Sequence, residues 1–191
     1  MKDLFLMAIG LVFINNVVLT KFLGLCPFVG VSKRSKDSLG MGLAVIFVVF
    51  VSSIITYAIY HLILKPLDIT YMQLITFILV IASFVQFTEM FIKKNSPTLY
   101  KSLGVYLPLI TTNCIVLAVA NQNISQGYSF VEMLVHSVSV PLGFAIMLYI
   151  FALIRERLDS ADTPNAFKGN PIAIITLAIM ALAMAGLAGI A

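Results

Sequence analysis

Residues 14–28 read INNVVLTKFLGLCPF, and residues 111–117 read TTNCIVL. Both stretches place polar side chains inside apolar runs that are long enough to cross a membrane. These side chains are Asn15, Asn16, Thr20, Lys21, Thr111, Thr112 and Asn113. A buried amide in hydrocarbon is unfavourable unless it is hydrogen-bonded, and Pro108 removes a helix hydrogen bond just before the second stretch. The pattern therefore predicts two helices that are interrupted within the membrane, where side chains cap the freed backbone.

A simpler interpretation stays open for Thr20, Thr111 and Thr112, whose hydroxyls could only join neighbouring helices. Lys21 could extend its amine to the membrane interface. The asparagines occur at matched places in the two stretches, which favours interrupted helices there.

The composition is that of an integral membrane protein. Of the 191 residues, 61% are hydrophobic and 10% are charged, whereas a soluble domain has about 25% charged residues. The mean hydropathy is +1.06. These values exclude a soluble globular enzyme, a nucleic-acid-binding domain and a disordered chain. The surroundings expected for this protein are therefore a lipid bilayer.

Apolar runs of about 20 residues, the length of a spanning helix, divide the chain into six predicted spans. The spans are Leu4–Leu25, Leu39–Leu64, Ile69–Ile92, Leu99–Ala120, Phe130–Ile154 and Pro171–Ile190. Cys26–Pro27 is predicted to begin a loop, and Lys65–Pro66 and Asn121–Asn123 are predicted to separate spans. The fold class is all-α, with a single membrane domain over residues 1–191.

An internal repeat is visible in the same two stretches. Asn113 matches either Asn15 or Asn16, and residues 42–45 resemble residues 143–146. Three spans per repeat is an odd number, so the second copy must insert upside down, as in many transport proteins. We expect repeat one over about 1–95 and repeat two over about 96–191, with half-helices in spans one and four.

Basic residues predict the orientation. Loops one, three and five hold most of them: Lys33, Arg34, Lys36, Lys93, Lys94, Arg155, Arg157 and Lys168. The opposite side holds only Lys2 and Lys65. Since cytoplasmic loops are rich in lysine and arginine, both termini are expected outside.

Few residues are candidates for chemistry, and no catalytic residue is predicted. Cys26 and Cys114 are far apart in the sequence, so they form no local metal motif and could be two buried free thiols. His61 and His136 are expected to be interfacial or packed. Glu89 is the one weak candidate for an ion pathway, although an ion pair with Lys93, four residues later, explains it better.

The surroundings of the two cysteines resemble a known family. LGLCPF at 23–28 and TTNC at 111–114 are similar to motifs of the A subunit of the Rnf complex, an ion-translocating ferredoxin:NAD oxidoreductase. They are similar, more distantly, to the E subunit of the sodium-pumping NADH:quinone reductase. The resemblance covers the whole chain, to Gly-Asn-Pro at 169–171, and VGVSK at 29–33 favours the Rnf member.

The resemblance implies that Cys26 and Cys114 are ligands to the iron of a [2Fe–2S] cluster inside the membrane. Such a cluster takes four thiolates, so a homologous membrane subunit of the Rnf E type, inserted with the opposite orientation, would supply the other two. Further Rnf subunits would carry flavins and iron–sulfur centres. The expected role is electron transfer coupled to translocation of Na⁺ or H⁺ across a bacterial or archaeal cytoplasmic membrane. Asn113 and backbone N–H groups near Gly24 are expected to tune the cluster.

Two other functions compatible with the fold are a small inverted-repeat secondary transporter with structural cysteines and a purely structural subunit.

A shared cluster would require both cysteines to lie at a similar depth in the membrane. If the spans were straight, Cys26 would lie near the cytoplasmic edge and Cys114 about 20 Å inside the membrane. A shared cluster therefore requires span one to break, near Asn15–Asn16 or at Gly24.

Overall fold

The computed structural model describes residues 2–14, 16–32, 34–67, 70–95, 109–110, 113–160, 164 and 167–188. The regular elements in these ranges are all helices, which agrees with the all-α prediction. The predictions for Asn15, Lys33, Pro108, Thr111 and Thr112 lie outside the described residues.

The first predicted span is broken twice. Helix α1, Lys2–Ile9, continues into a wider π-helical turn over Gly10–Ile14. After a break at Asn16 comes the short helix α2, Val17–Lys21, and after a second break comes α3, Leu25–Val31. The predicted interruption of this span is therefore confirmed.

The remaining helices are longer, apart from one short turn. They are α4 (Ser35–Ile59), α5 (Lys65–Leu67), α6 (Gln73–Asn95), α7 (Cys114–Ser125), α8 (Phe130–Asp159) and α9 (Asn170–Ala188). A π-helical turn over Tyr60–Leu64 joins α4 to α5. Three stretches within the described residues are long and apolar enough to cross a membrane, namely Ser35–Leu64, Gln73–Met90 and Phe130–Asp159, and α7 and α9 are shorter apolar helices.

Three predicted loop positions are helical instead. Pro27 lies in the first turn of α3, where its missing N–H removes no helix hydrogen bond. Lys65 and Pro66 form α5, directly after the π-helical turn has shifted the hydrogen-bond register. Asn121–Asn123 continue α7, because the side chain of Asn123 is bonded to α8 rather than to water. The predicted loop at Cys26–Pro27 and the predicted break at Asn121–Asn123 were therefore wrong. Lys65 and Pro66, although helical, do lie between the apolar stretches Ser35–Leu64 and Gln73–Met90, as predicted.

Helices α4 and α8 form the antiparallel centre of the fold. A Cβ atom at Gly42 would lie 2.8 Å from Cβ of Ala145, so the two backbones are close at this crossing. Tyr57 and Phe130 meet farther along the same pair, with ring centroids 6.0 Å apart. The buried core residues with no exposed surface around the crossing are Met41, Val45, Val49, Leu148 and Phe151.

The two ends of α8 define the two ends of the molecule. At the Arg155 end, the backbone N–H of Ser35 donates to Glu156 Oε1 over 2.8 Å, so α4 begins where α8 finishes. At the Phe130 end, Gln73 Nε2 donates to Asn121 Oδ1 over 3.0 Å, which joins the start of α6 to α7. Helix α3 runs toward the Arg155 end and α7 toward the Phe130 end, as expected for inverted repeats.

Candidate functional site

Equivalent asparagine caps begin α2 and α7. Asn16 has φ −65° and ψ 118°, and its Oδ1 accepts the N–H of Val18 over 3.1 Å. Asn113 has φ −71° and ψ 114°, and its Oδ1 accepts the N–H of Ile115 over 3.2 Å. Both asparagines are buried. Asn16 and Asn113 therefore cap their helices with a common geometry, which agrees with one of the two predicted pairings, that of Asn16 with Asn113.

The two caps differ in their amide nitrogens. Asn16 Nδ2 donates to the carbonyl of Val12 over 3.1 Å. Gly143 on α8 leaves room for this contact, since a Cβ atom there would lie 3.0 Å from Asn16 Nδ2. Asn113 Nδ2 is buried and has no hydrogen-bond partner within the described part of the chain. A donor that lies next to Cys114 is thus left free for an acceptor from outside these residues.

The second break of span one needs a glycine. Phe22 and Gly24 both have left-handed backbone conformations, with φ of 53° and 82°. A Cβ atom at Gly24 would lie 2.5 Å from Ile115 Cδ1 and 3.2 Å from Phe144 Cε2. Glycine alone supplies this φ without strain and leaves this space open.

Gly24 brings the two cysteine-bearing segments together. Its backbone N–H donates to Cys114 Sγ over 2.9 Å. Cys26 follows two residues later in the first turn of α3, so its Cα lies within about 7 Å of Gly24 Cα. Both cysteines are free thiols, Cys26 being exposed and Cys114 half-buried. The backbone N–H of Gly24 is thus in contact with a cysteine sulfur, and its predicted role in tuning a cluster stays a prediction.

The double break keeps the segment before Cys26 close to one level of α8. Asn16 contacts α8 at Gly143, and Gly24 lies against Phe144, so the residues between them make little net advance along α8. Gly143 lies thirteen residues after Phe130 and twelve before Arg155. At 1.5 Å per residue, these distances are about 20 Å and about 18 Å. The start of α3 therefore lies near the middle of α8, as a site shared with Cys114 requires.

The described residues contain no group of three or more histidine, cysteine, aspartate or glutamate side chains that could hold a metal ion. The pair Cys26 and Cys114 therefore provides at most two thiolate ligands. Because Cys26 is exposed on this chain, a second chain can reach the same place.

The other predicted candidates have local structural roles. Thr20 Oγ1 donates to the carbonyl of Asn16 within its own helix, over 2.8 Å, and Lys21 is exposed. His61 is exposed and lies against Tyr57, with ring centroids 4.4 Å apart. His136 is buried, and its Nδ1 lies 2.7 Å from Asn123 Oδ1, so the prediction of a packed histidine is confirmed. The side chain of Lys93, the predicted partner of Glu89, lies outside the described residues.

The sequence predicts Arg155 as a loop residue that orients the protein, but the structure buries it within α8. It is 3% exposed in α8 and donates to groups on α3 and α9. A signal was present: Arg155 follows Leu148 and Phe151 at spacings of seven and four residues, which place it on the buried face of one helix.

Comparison with known sequences assigns this chain to a family. The profile of the family described as "Rnf-Nqr subunit, membrane protein" matches residues 4–191. The chain belongs to the Rnf-Nqr family. The resemblance predicted from the LGLCPF and TTNC motifs is thereby confirmed.

Relatives within the Rnf-Nqr family match over nearly their whole length. A protein of Syntrophotalea carbinolica, named as the A subunit of an ion-translocating oxidoreductase complex, is 53% identical over 190 residues, covering 100% of this chain and 98% of that protein. The protein of the same name from Vibrio vulnificus is 51% identical over 190 residues, with coverages of 100% and 99%. The A subunit of the Na(+)-translocating ferredoxin:NAD(+) oxidoreductase complex from Acetobacterium woodii is 52% identical over 181 residues, with coverages of 95% and 94%.

Proposed function

We propose that this chain relays electrons through the bilayer by means of a [2Fe–2S] cluster shared with a homologous, oppositely inserted subunit. Its family makes it a multi-pass membrane subunit of an ion-translocating oxidoreductase complex. The observation that carries the proposal is the hydrogen bond from Gly24 N–H to Cys114 Sγ, which joins two cysteine-bearing segments near the middle of α8. The complex would transfer electrons from ferredoxin to NAD and couple this to translocation of Na⁺ or H⁺.

The residues present fit such a cluster. Thiolate and sulfide are hydrogen-bond acceptors. The segments offer the N–H of Gly24, which already donates to Cys114 Sγ, and the amide of Asn113, which has no partner among the described residues. A [2Fe–2S] cluster takes four thiolates, of which this chain has two. The exposed position of Cys26 leaves it accessible to the subunit that would provide the other two.

The chain's own residues would hold and tune the group. When bound, the cluster would accept and release single electrons near the middle of the bilayer. Cys26 and Cys114 would hold it from α3 and α7, and the Asn16 and Gly24 breaks would keep both thiols at one depth. Hydrogen bonds from Gly24 and Asn113 would withdraw charge from sulfur, which favours the reduced state. Other subunits with flavins and iron–sulfur centres would exchange electrons with it at the two membrane faces.

We propose further that the Arg155 end is cytoplasmic and both termini are outside. The contact between Ser35 and Glu156 supports this, because it places loops one and five, with exposed Arg34, Lys36 and Arg157, at one end. Clustered basic residues mark the cytoplasmic side of membrane proteins.

Serine variants of the two cysteines test the proposal in the purified complex. We expect Cys26→Ser and Cys114→Ser each to lose the iron and acid-labile sulfide of one [2Fe–2S] cluster, because oxygen replaces a thiolate ligand. Electron transfer through the complex should fall to background, while blue-native electrophoresis shows full assembly. Thr20→Ser, an equally small change in the same broken span, should retain both iron and activity.

Unchanged iron, sulfide and electron transfer in the assembled Cys114→Ser complex would contradict the proposal. The cysteines would then be structural, as the transporter and scaffold alternatives expect.

A further inference from the structure

We infer that Arg155 is a positioning residue for Cys26, because it fixes the C-terminal end of the short helix α3, which carries this thiol. Only one part of this inference rests on the proposed function, namely that Cys26 is a ligand of a cluster. The contacts themselves belong to this chain.

Arg155 holds three segments through uncharged acceptors. Its Nη1 donates to the carbonyl of Val29 over 2.7 Å and to Ser32 Oγ over 2.8 Å, both at the end of α3. Its Nη2 donates to Asn170 Oδ1 over 3.3 Å, at the start of α9. A guanidinium group suits this arrangement because its donors form a rigid fork, which the single ammonium of lysine cannot reproduce.

Burial of this charge indicates a structural purpose. Arg155 is 3% exposed, and its Nε is buried with no hydrogen-bond partner in the described residues. A buried cation is costly even when it is hydrogen-bonded, so packing alone would favour an apolar side chain here. An apolar residue at position 155 could not make the directional bonds to the end of α3, which indicates that arginine serves to make them.

Apolar packing holds α3 against α8 but does not fix its axial position. Phe28 is fully buried and lies against Phe151, with ring centroids 4.6 Å apart. Such contacts are non-directional, so the helix could slide or rotate with a small loss of contact. Directional restraints come from the two ends. The Gly24 bond to Cys114 acts at one end. The Arg155 bonds to Val29 and Ser32 act at the other, where Ser38 Oγ on α4 also donates to the carbonyl of Val31 over a longer 3.4 Å.

The restraint reaches Cys26 because α3 is short. Six residues separate Cys26 from Ser32, or about 9 Å along a helix. One turn of helix lies between the thiol and Val29. If the C-terminal end of α3 moves, the whole short helix moves with it and Cys26 is displaced, because no loop lies between them.

The adjacent residue holds the next helix in the same way. Glu156 accepts the N–H of Ser35, the first residue of α4. Residues 155 and 156 thus hold the end of α3 and the beginning of α4 from one turn of α8.

The first test measures the thiol without a cluster. Because the chain has two cysteines, Cys114→Ser leaves Cys26 as its single thiol, and its alkylation by N-ethylmaleimide in the purified complex can be followed by mass spectrometry. We expect Arg155→Met to raise the alkylation rate roughly tenfold. The loss of one hydrogen bond to a charged group corresponds to about that factor. Ser32→Ala, a milder variant that removes one acceptor, should give a smaller increase. Arg157→Met, an exposed arginine on the same helix, should leave the rate unchanged.

The second test uses the complex with native cysteines. Arg155→Lys and Ser32→Ala should shift the low-temperature EPR g-values and the midpoint potential of the cluster, and Arg157→Met should shift neither. A wild-type complex without a cluster signal would overturn the proposed function and leave the alkylation test standing. Equal alkylation rates in Arg155→Met, Ser32→Ala and Arg157→Met, together with equal EPR spectra in Arg155→Lys, Ser32→Ala and Arg157→Met, would overturn the positioning role.

Discussion

Gly24 joins the two cysteine-bearing segments through its backbone N–H, which donates to Cys114 Sγ over 2.9 Å. The same residue has φ of 82° and leaves no room for a Cβ atom beside Ile115. Neighbours along the chain cannot reveal these constraints, because Ile115 and Cys114 belong to the other repeat. The LGLCPF motif marks the segment, but only the folded chain shows what touches it.

Gly24→Ala should destabilise the chain and displace Cys114. A left-handed alanine costs roughly 1–2 kcal/mol, and the overlap with Ile115 adds about 1–3 kcal/mol. We expect a lower thermal unfolding temperature in detergent and a loss of bound iron. Gly127→Ala is the matched control, since Gly127 has φ of 64° and no atom within 4 Å of its added Cβ. Gly127→Ala should lose only the stability that a left-handed alanine costs, and it should retain iron. An equal fall in unfolding temperature in the two variants would refute the crowding at Ile115.

At the scale of elements, span one shows what a pattern of polar residues can predict. Asparagines in an apolar run indicate an interruption, and α2 and α7 do begin at asparagine caps. The second break, at Phe22–Gly24, sets where α3 begins along α8, and it depends on the packing of Gly24 against Ile115 and Phe144. Local sequence predicts the first kind of feature well and the second poorly, because close packing involves distant residues.

The crossing of α4 and α8 at Gly42 offers a test at this scale. Gly42→Ala gains about 1 kcal/mol of helix propensity, but its Cβ would lie 2.8 Å from Cβ of Ala145. We expect a net loss of stability of about 1–2 kcal/mol, since overpacking outweighs propensity. Thermal unfolding of the purified complex measures it.

A second substitution makes the test specific. Ala145→Gly in the Gly42→Ala background removes the overlapping atom and should recover much of the lost stability. Gly30→Ala is the control for propensity, because its added Cβ would meet nothing closer than 3.8 Å, at Leu109 Cδ1. Independent, additive effects of the 42 and 145 substitutions would show that the two backbones do not meet there.

For the whole molecule, hydropathy predicted the helical membrane fold and most helix positions. It failed at Asn121–Asn123 and at Arg155, for one physical reason. Each was assigned to a loop because it is polar, yet Asn123 bonds to Ser137 and Arg155 bonds to Val29 and Ser32. A polar group whose hydrogen bonds are supplied by another helix can lie within a helix, and this pairing is a property of the tertiary structure.

The orientation is a prediction at the same scale. With the Arg155 end in the cytoplasm, a protease site added after Ala191 should be cleaved when the protease is added outside spheroplasts. The same site inserted next to Lys36 should be protected until the membrane is opened. The reverse pattern would invert the proposed topology and place the basic loops outside.

The most direct measurement is low-temperature EPR of the intact, dithionite-reduced complex, with wild type beside Cys26→Ser and Cys114→Ser. Shared ligation predicts a [2Fe–2S] signal in wild type that is missing from both assembled variants, since each thiol is one of four ligands. A wild-type signal that persists at full intensity in either assembled variant would contradict the claim that these two cysteines hold the cluster.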